Sequence, residues 1–532
     1  MNPVQTVDYI RILPELVLTA FGIIVMMADP LLKPGASRKG LGLISLVGAG
    51  SAIAATFCQI AWMHRDPSFA DPGWFGMVRM DNFAIFFHLL IPAISAICIL
   101  ASLEYLDTQN IRSGEYYALI LFGTVGMVLM SSAVELVLIF IALEISSIAT
   151  YVLAGYRRRN AGSSESSIKY FLLGSFATAF FLYGVALMFG VTGSTSILEI
   201  KKTLAVVHPD LLAVAAIALM IVGLGFKVAS APFHIWTPDV YEGAPAPVVA
   251  LMSTGPKAAA FAVLLRVLFA TESTEWFALI WICAALSMTL GNFGALLQNN
   301  VKRMLAYSSI AHAGYLLVAF TARNDIGISA AIFYTAAYAV MNVGAFAVVS
   351  HFAAGGERYV SIDDYSGLGR RSPLLAFTFT IFMLSLIGIP ATAGFLAKYY
   401  VFSAALSAHS QSLVWLTVIG LVNSAVASYY YLRLIVVMYM REPVIAEAPA
   451  PASAAMRLAL VLTAIATIYL GVIPGKVVDS ADRGAKNLSE STGTNASSGT
   501  PVQVLESSRT ADGRINVTAI LPGNLLPATP AK

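Results

Sequence analysis

Long apolar runs separated by short polar connections make up most of this chain. A helix that crosses the hydrocarbon core of a bilayer needs roughly 20 apolar residues, and about fourteen runs of that kind lie between residues 10 and 473. The pattern predicts an all-α polytopic membrane protein. Past residue 473 the pattern stops: Ser, Thr, Asn, Gly and Ala dominate, Pro is scattered, and no run is long enough to cross a bilayer. Segment 474–532 therefore reads as a polar, largely disordered tail, with docking to a neighbouring chain as the other reading. The valines and isoleucines around Ile515 to Leu521 suggest one short strand.

Two stretches of similar length, 114–271 and 276–441, each hold about five of the runs. An odd number of crossings turns the second copy upside down relative to the first, the inverted arrangement of many transporters. The predicted organisation is three transmembrane helices over 1–113, a first half-channel repeat over 114–271, an inverted second repeat over 276–441, a C-terminal transmembrane helix over 442–473, and the tail. Each repeat carries one broken helix with a lysine beside the break. In the first, Lys227 precedes Pro232 within GLGFKVASAPFHIW; in the second, Gly388, Pro390 and Gly394 precede Lys398 within IGIPATAGFLAKYY. A proline inside a helix lacks its own N–H and frees the carbonyl four residues back, here those of Val228 and Leu386. Polar backbone freed at membrane depth must meet protein or water, so the breaks imply a hydrated interior.

Composition agrees with the pattern. Hydrophobic residues make up 58% of the chain and charged residues 11%, against roughly 25% charged in soluble domains, and the mean hydropathy is +0.77. The net charge is only +3, but basic residues in short loops set orientation. Lys33, Arg38, Lys39, Arg112, Arg157, Arg158, Arg159, Lys302, Arg303, Arg358, Arg370 and Arg371 follow odd-numbered helices, whereas Arg65, Arg79, Lys201, Lys202 and Arg323 follow even-numbered ones. Both termini are therefore expected on the non-cytoplasmic side. The first apolar run lacks a basic start and an A-x-A site before Asp29, so it is expected to be retained as helix one. Cys58, Cys98 and Cys283 lie singly in apolar runs, which argues against iron–sulfur, zinc or disulfide frameworks and for small buried hydrophobes. GVIPGK, from Gly471 to Lys476, is too short for a phosphate-binding loop. Any cofactor oxidation coupled to this chain belongs on another one.

The chemistry lies in ionisable side chains inside the apolar runs. A charge at the middle of a membrane helix costs about 2.5–3.5 kcal/mol, so its presence points to the movement of ions or protons. Glu144 sits mid-span in LVLIFIALEISSIATYVL, Lys227 and Lys398 beside the breaks, and Lys257 in PVVALMSTGPKAAAFAVL just after Gly255 and Pro256. A carboxylate that approaches or leaves a buried lysine changes its hold on a proton, so a movable pair acts as a valve. The alternatives are a hydrogen-bonded acid stapling two helices for Glu144 and snorkelling to an interface for Lys257. His312, in AYSSIAHAGYLL, has Ser308, Ser309 and Tyr315 nearby to order water and is a relay candidate; a histidine bonded to a neighbouring helix is the other reading. Arg266, Arg433 and His88 lie closer to span ends, where snorkelling accounts for them. His234 reads as part of a polar connection or a cap, Glu104, Asp107 and Glu115 as a solvated loop, and Trp74 and Trp236 as interfacial anchors.

The segment APFHIWTPDVYEGAPAPV, from Ala231 to Val248, resembles the signature of subunit N of the respiratory NADH-quinone oxidoreductase, complex I. FIALEISSIATYVLAGY around Glu144, NNVKRMLAYSSIAHAGYLL from Asn299 to Leu317 and GIPATAGFLAKYYVF from Gly388 to Phe402 are similar to the same family. The resemblance covers residues from about 10 to 473, and PDVYEGAPAPV separates this subunit from its sister antiporter-like subunits. It implies about fourteen transmembrane helices with two inverted five-helix half-channels. It also implies that Glu144 and Lys227 form the carboxylate–lysine pair, that Lys257 is the connecting lysine, that Lys398 is the outlet-side lysine, and that His312 stands on the central axis.

The expected function is proton translocation by a membrane-arm subunit of NADH-quinone oxidoreductase in a bacterial inner (plasma) membrane. Glu144, Lys227, Lys257, His312 and Lys398 carry the proton. No cofactor or metal is expected on this chain; NADH, FMN, iron–sulfur clusters and quinone are expected on partner subunits. Other membrane-arm subunits and the lipid bilayer are the expected partners, with no nucleic acid. The alternatives are a subunit of a multisubunit cation/proton antiporter without electron transfer, and a structural spacer that has lost transport.

Overall fold

The computed structural model describes residues 6–33, 36–111, 114–206, 211–270, 275–354, 357, 359–444, 450–492, 505–509 and 515–519. Arg112, Arg358 and the remaining tail lie outside the described residues. An N-terminal bundle comprises α1 (Thr6–Arg11), α2 (Leu13–Ala28), α3 (Lys39–Arg65) and α4 (Asn82–Thr108). α4 begins where the Asp81 carboxylate accepts from Ala84 N at 2.8 Å, satisfying one of the donors that a helix start leaves free. There follow α5 (Glu115–Ser132), α6 (Leu136–Ala154), α7 (Ala161–Thr192), the short α8 (Ile197–Val206) and α9 (Leu211–Val228). The Glu135 and Asn160 side chains cap α6 and α7 in the same way, accepting from Leu138 N and Ser163 N.

Beyond the first break lie α10 (Trp236–Gly243), α11 (Ala246–Met252) and α12 (Gly255–Ala270). The second half holds α13 (Glu275–Leu296), α14 (Val301–Thr321), α15 (Asp325–Ala353), the single turn α16 (Leu368–Arg371), α17 (Pro373–Ile387), α18 (Ala393–Ser407), α19 (Gln411–Met440), α20 (Ala454–Val472) and α21 (Gly475–Thr492). Among the described residues, thirteen helical segments are long and apolar enough to cross a bilayer. The fourteenth expected crossing is split between α17 and α18, of 15 residues each. At 1.5 Å per residue each spans about 22 Å, short of the ~30 Å hydrocarbon core, so only the pair together can cross.

Segment Ala246–Phe269, α14 and α15 are almost wholly enclosed by other helices. α7 and α19 instead present large apolar side chains such as Phe176, Tyr183 and Trp415 outward, as helices facing lipid do. Cys58 departs from expectation: it is exposed on α3, while Cys98 and Cys283 are buried. A thiol is apolar enough to sit on a lipid-facing surface as readily as in a core.

The tail also departs from expectation. Residues 475–492 form α21, because Ala481, Ala485 and Leu488 recur at helical spacing and are buried on one face. Asn82 Nδ2 on α4 donates to Asn487 Oδ1 at 2.6 Å, and the Ser329 hydroxyl on α15 donates to Asp482. The helix therefore ties the N-terminal bundle to the second half. Further on, β1 (Leu505–Arg509) and β2 (Ile515–Ala519) pair antiparallel with Leu505 opposite Ala519. The run at 515 is thus one of two strands, its partner having too polar a composition to be noticed.

Candidate functional site

α9 ends at Val228, and the chain continues without helix from Ala229, whose φ is +59°, to the start of α10. Hydrogen bonds hold the break: Ser230 N donates to Gly225 O at 2.9 Å, the Trp236 indole N–H to Phe226 O at 3.1 Å, and Ala231 N to Ser287 Oγ at 2.7 Å. Trp236 is not an interfacial anchor; it is buried and stacks on Tyr170 with ring centroids 4.5 Å apart. These contacts fix Lys227 on the last turn of α9. Its ammonium is buried, donates to the Ser147 hydroxyl at 2.8 Å, and lies 5.9 and 5.8 Å from the rings of Tyr151 and Tyr170. Ser147 follows Glu144 by three residues on α6, hence on the same face. Glu144 Oε1 is buried with no hydrogen-bond partner among the described residues. Lys227 is thus brought to the face of α6 that carries Glu144, but its direct partner is a serine.

Ser253 and Thr254 interrupt the helix between α11 and α12, which leaves Lys257 in the first turn of α12. Its side chain does not snorkel: Lys257 is 2% exposed and donates to Ser309 O at 3.1 Å and to the Ser309 hydroxyl. Tyr338 OH donates to the same hydroxyl at 2.8 Å, and its ring lies 5.3 Å from that of His312. His312 Nδ1 is 2.7 Å from Tyr334 OH, and its Nε2 is 3.5 Å from Tyr431 OH. On the far side, the Tyr315 ring lies 5.6 Å from the imidazole and 4.8 Å from Lys398 Nζ. Lys257, His312 and Lys398 are therefore buried together, joined by hydrogen bonds through Ser309 to Tyr338 and by ring contacts of Tyr338 and Tyr315, while Tyr431 connects His312 to Ser308.

Lys398 reaches back from α18 across the second break. Its Nζ donates to Leu386 O at 3.1 Å, Ile387 O at 2.8 Å and Ser424 Oγ at 2.8 Å. Leu386 O is the carbonyl that Pro390 frees, and the end of α17 carries the partial negative charge that favours a cation. Gly388 makes the turn with φ +94°, a conformation that costs a residue with a Cβ but not glycine.

Two residues assigned to snorkelling are instead interior. Arg266 grips Asp81 with two nitrogens at 3.0 and 2.8 Å, donates to Ser131 O at 2.8 Å, and stacks 4.7 Å from the Phe83 ring. His88 is fully buried. The helix bundle closes over both, because the start of α4 lies against the end of α12. Arg433 keeps an edge position, donating to Asn299 Oδ1 at 2.8 Å. Glu104 is not loop but the last turns of α4, 2.9 Å from His351 Nδ1.

Removing one partner of a buried ion pair leaves an uncompensated charge, which costs about 3–5 kcal/mol. Arg266→Ala is accordingly expected to lower the thermal stability of the purified assembly by that order, read as a fall in Tm; an unchanged Tm refutes a structural role. Burial pushes the Asp81 carboxyl up, but the Arg266 guanidinium outweighs it and holds the group below the usual carboxylate range. A depressed carboxyl stabilises the fold above its unfolded pKa of about 3.9 and loses that contribution as pH falls through the lower folded value. The pair is therefore expected to hold at neutral pH and to fail only in strong acid.

Residues 133–425 match the family model described as NADH:quinone oxidoreductase/Mrp antiporter, TM. The chain is 62% identical to NADH-quinone oxidoreductase subunit N 2 of Koribacter versatilis over 486 residues, 91% of this chain and 98% of that protein. It is similar to a chain of respiratory complex I from Thermus thermophilus with bound aureothin, with TM-score 0.73, 35% identity, and coverage of 88% of this chain and 100% of that one. A chain of the Mrp complex from Dietzia sp. shares the fold, with TM-score 0.77 at 21% identity, covering 91% of this chain and 99% of that one.

Proposed function

This chain belongs to the subunit N family of NADH-quinone oxidoreductases, and from that premise we propose that it carries protons across the membrane through Glu144, Lys227, Lys257, His312 and Lys398. It is a membrane-arm subunit whose partners are the other membrane-arm subunits of complex I. The buried row from Lys257 through Ser309, Tyr338, His312 and Tyr315 to Lys398 carries this reading. Hydroxyls and an imidazole can each accept and donate a proton, so groups of this kind between two amines suit a relay.

The two halves serve as inverted half-channels, 114–271 holding the Glu144–Lys227 input and 276–441 the Lys398 output. Helices 1–113 and 442–473 flank them. Electron transfer from NADH to quinone, with its FMN and iron–sulfur clusters, takes place on partner subunits. Its free energy drives each charge uphill by about 2.3 kcal/mol per 100 mV of membrane potential. The host membrane is a bacterial inner membrane, with both termini on its non-cytoplasmic side.

Glu144→Gln tests the input. In proteoliposomes holding the assembled complex, NADH-driven pumping is expected to fall about tenfold or more, since a positioned acid or base is worth roughly 10²–10⁴ in the step it serves. NADH oxidation by an artificial acceptor stays unchanged. Undiminished pumping defeats the role of Glu144, and pumping that requires sodium favours the cation/proton antiporter.

A further inference from the structure

Outside the row just described, three polar side chains of the N-terminal bundle are buried together. Glu15 on α2 is 5% exposed, and Gln59 on α3 and His88 on α4 are not exposed at all. Their hydrogen-bond chemistry fixes their roles. Gln59 Nε2 donates to Ile10 O at 3.1 Å and to Arg11 O at 2.8 Å, where the chain turns from α1 into α2. Its Oε1 therefore points the other way, 3.3 Å from His88 Nδ1. An amide oxygen only accepts, so Nδ1 carries the hydrogen.

In a neutral imidazole the second nitrogen is then an acceptor. That nitrogen, Nε2, lies 3.8 Å from Glu15 Oε1. Neither it nor either Glu15 oxygen has a hydrogen-bond partner among the described residues. The Val128 carbonyl also approaches the ring, again an acceptor, and the nearby Arg266 is already held by Asp81. An ionised carboxylate opposite an imidazole lone pair, with no protein donor between them, is a costly arrangement for groups this deeply buried. One hydrogen between the two groups removes the conflict and leaves no net charge.

We propose that Glu15 and His88 form a proton-binding site in which the Glu15 carboxylic acid faces His88 Nε2 across 3.8 Å and donates to it once the two draw within hydrogen-bond reach, with Gln59 selecting the tautomer. The site lies outside residues 133–425 that match the family model and uses none of the relay side chains. Its ligand is a single proton, held apart from the transferred one.

Infrared difference spectra of the assembled complex near neutral pH test this. A carboxylic-acid C=O band is expected in the wild type, absent in Glu15→Gln and displaced in Glu15→Asp. His88→Phe, which removes the acceptor, is expected to move the band to higher frequency. Spectra of wild type and either Glu15 variant that coincide in this region overturn the proposal, as does a band that stays in place in His88→Phe. Should Glu15→Gln fail to assemble, Glu15→Asp gives the same decision.

Discussion

Proton pumping by complexes carrying Lys227→Ala is expected to fall at least tenfold, while electron entry from NADH to an artificial acceptor continues. The amine is buried on the last turn of α9 and meets Ser147 and two tyrosine rings. Loss of a positioned proton carrier costs roughly 10²–10⁴ in the step it serves, which sets the scale. The substitution also leaves Glu144 without the cation that approaches its face of α6, so subunit content must be checked on native gels. Lys227→Met keeps most of the volume and is expected to pump as poorly as the alanine variant. Normal pumping by a correctly assembled alanine variant would falsify the relay assignment and favour a spacer.

Lys398→Ala is expected to fail twice, in transport and in folding. Without the ammonium, Leu386 O loses its side-chain donor and Ile387 O keeps only the Ser424 hydroxyl, at 3.4 Å, and an unsatisfied buried group costs about 1–3 kcal/mol. Lys398→Arg separates the two effects. A guanidinium can still donate to those carbonyls, yet it does not release a proton under biological conditions. The arginine complex is therefore expected to assemble at wild-type levels and to pump no better than the alanine complex. If it pumps normally, Lys398 serves as a helix cap and not as a carrier.

Much of this was legible in the linear sequence, because the physics of a bilayer is coarse. An apolar run of about 20 residues announces a crossing whatever it packs against. A proline or a lysine inside such a run stands out, so the freed Leu386 carbonyl is legible from Pro390, whereas its partner Lys398 is known only from the fold. What stayed hidden depends on pairing between distant segments. Ser147 and Tyr431 are ordinary hydroxyl residues until the fold sets them against Lys227, 80 positions away, and Ser308, 123 positions away. Arg266 looked peripheral because its partner, Asp81, lies 185 positions away. α21 was missed for a different reason: composition averaged over 474–532 conceals that Ala481, Ala485 and Leu488 line up at helical spacing.

The surroundings of Lys398 tie proton chemistry to shape. A protonated amine has three hydrogens to give, and three acceptors receive them here: Leu386 O, Ile387 O and Ser424 Oγ. A neutral amine has two hydrogens and one lone pair, so one of the three bonds is given up, with Ile387 O left to the Ser424 hydroxyl at 3.4 Å or that hydroxyl turned to donate to the nitrogen. On the proposed relay, each departure of a proton leaves the tip of α17 held differently from before, so that the kink at Gly388 would change its tethering with every cycle.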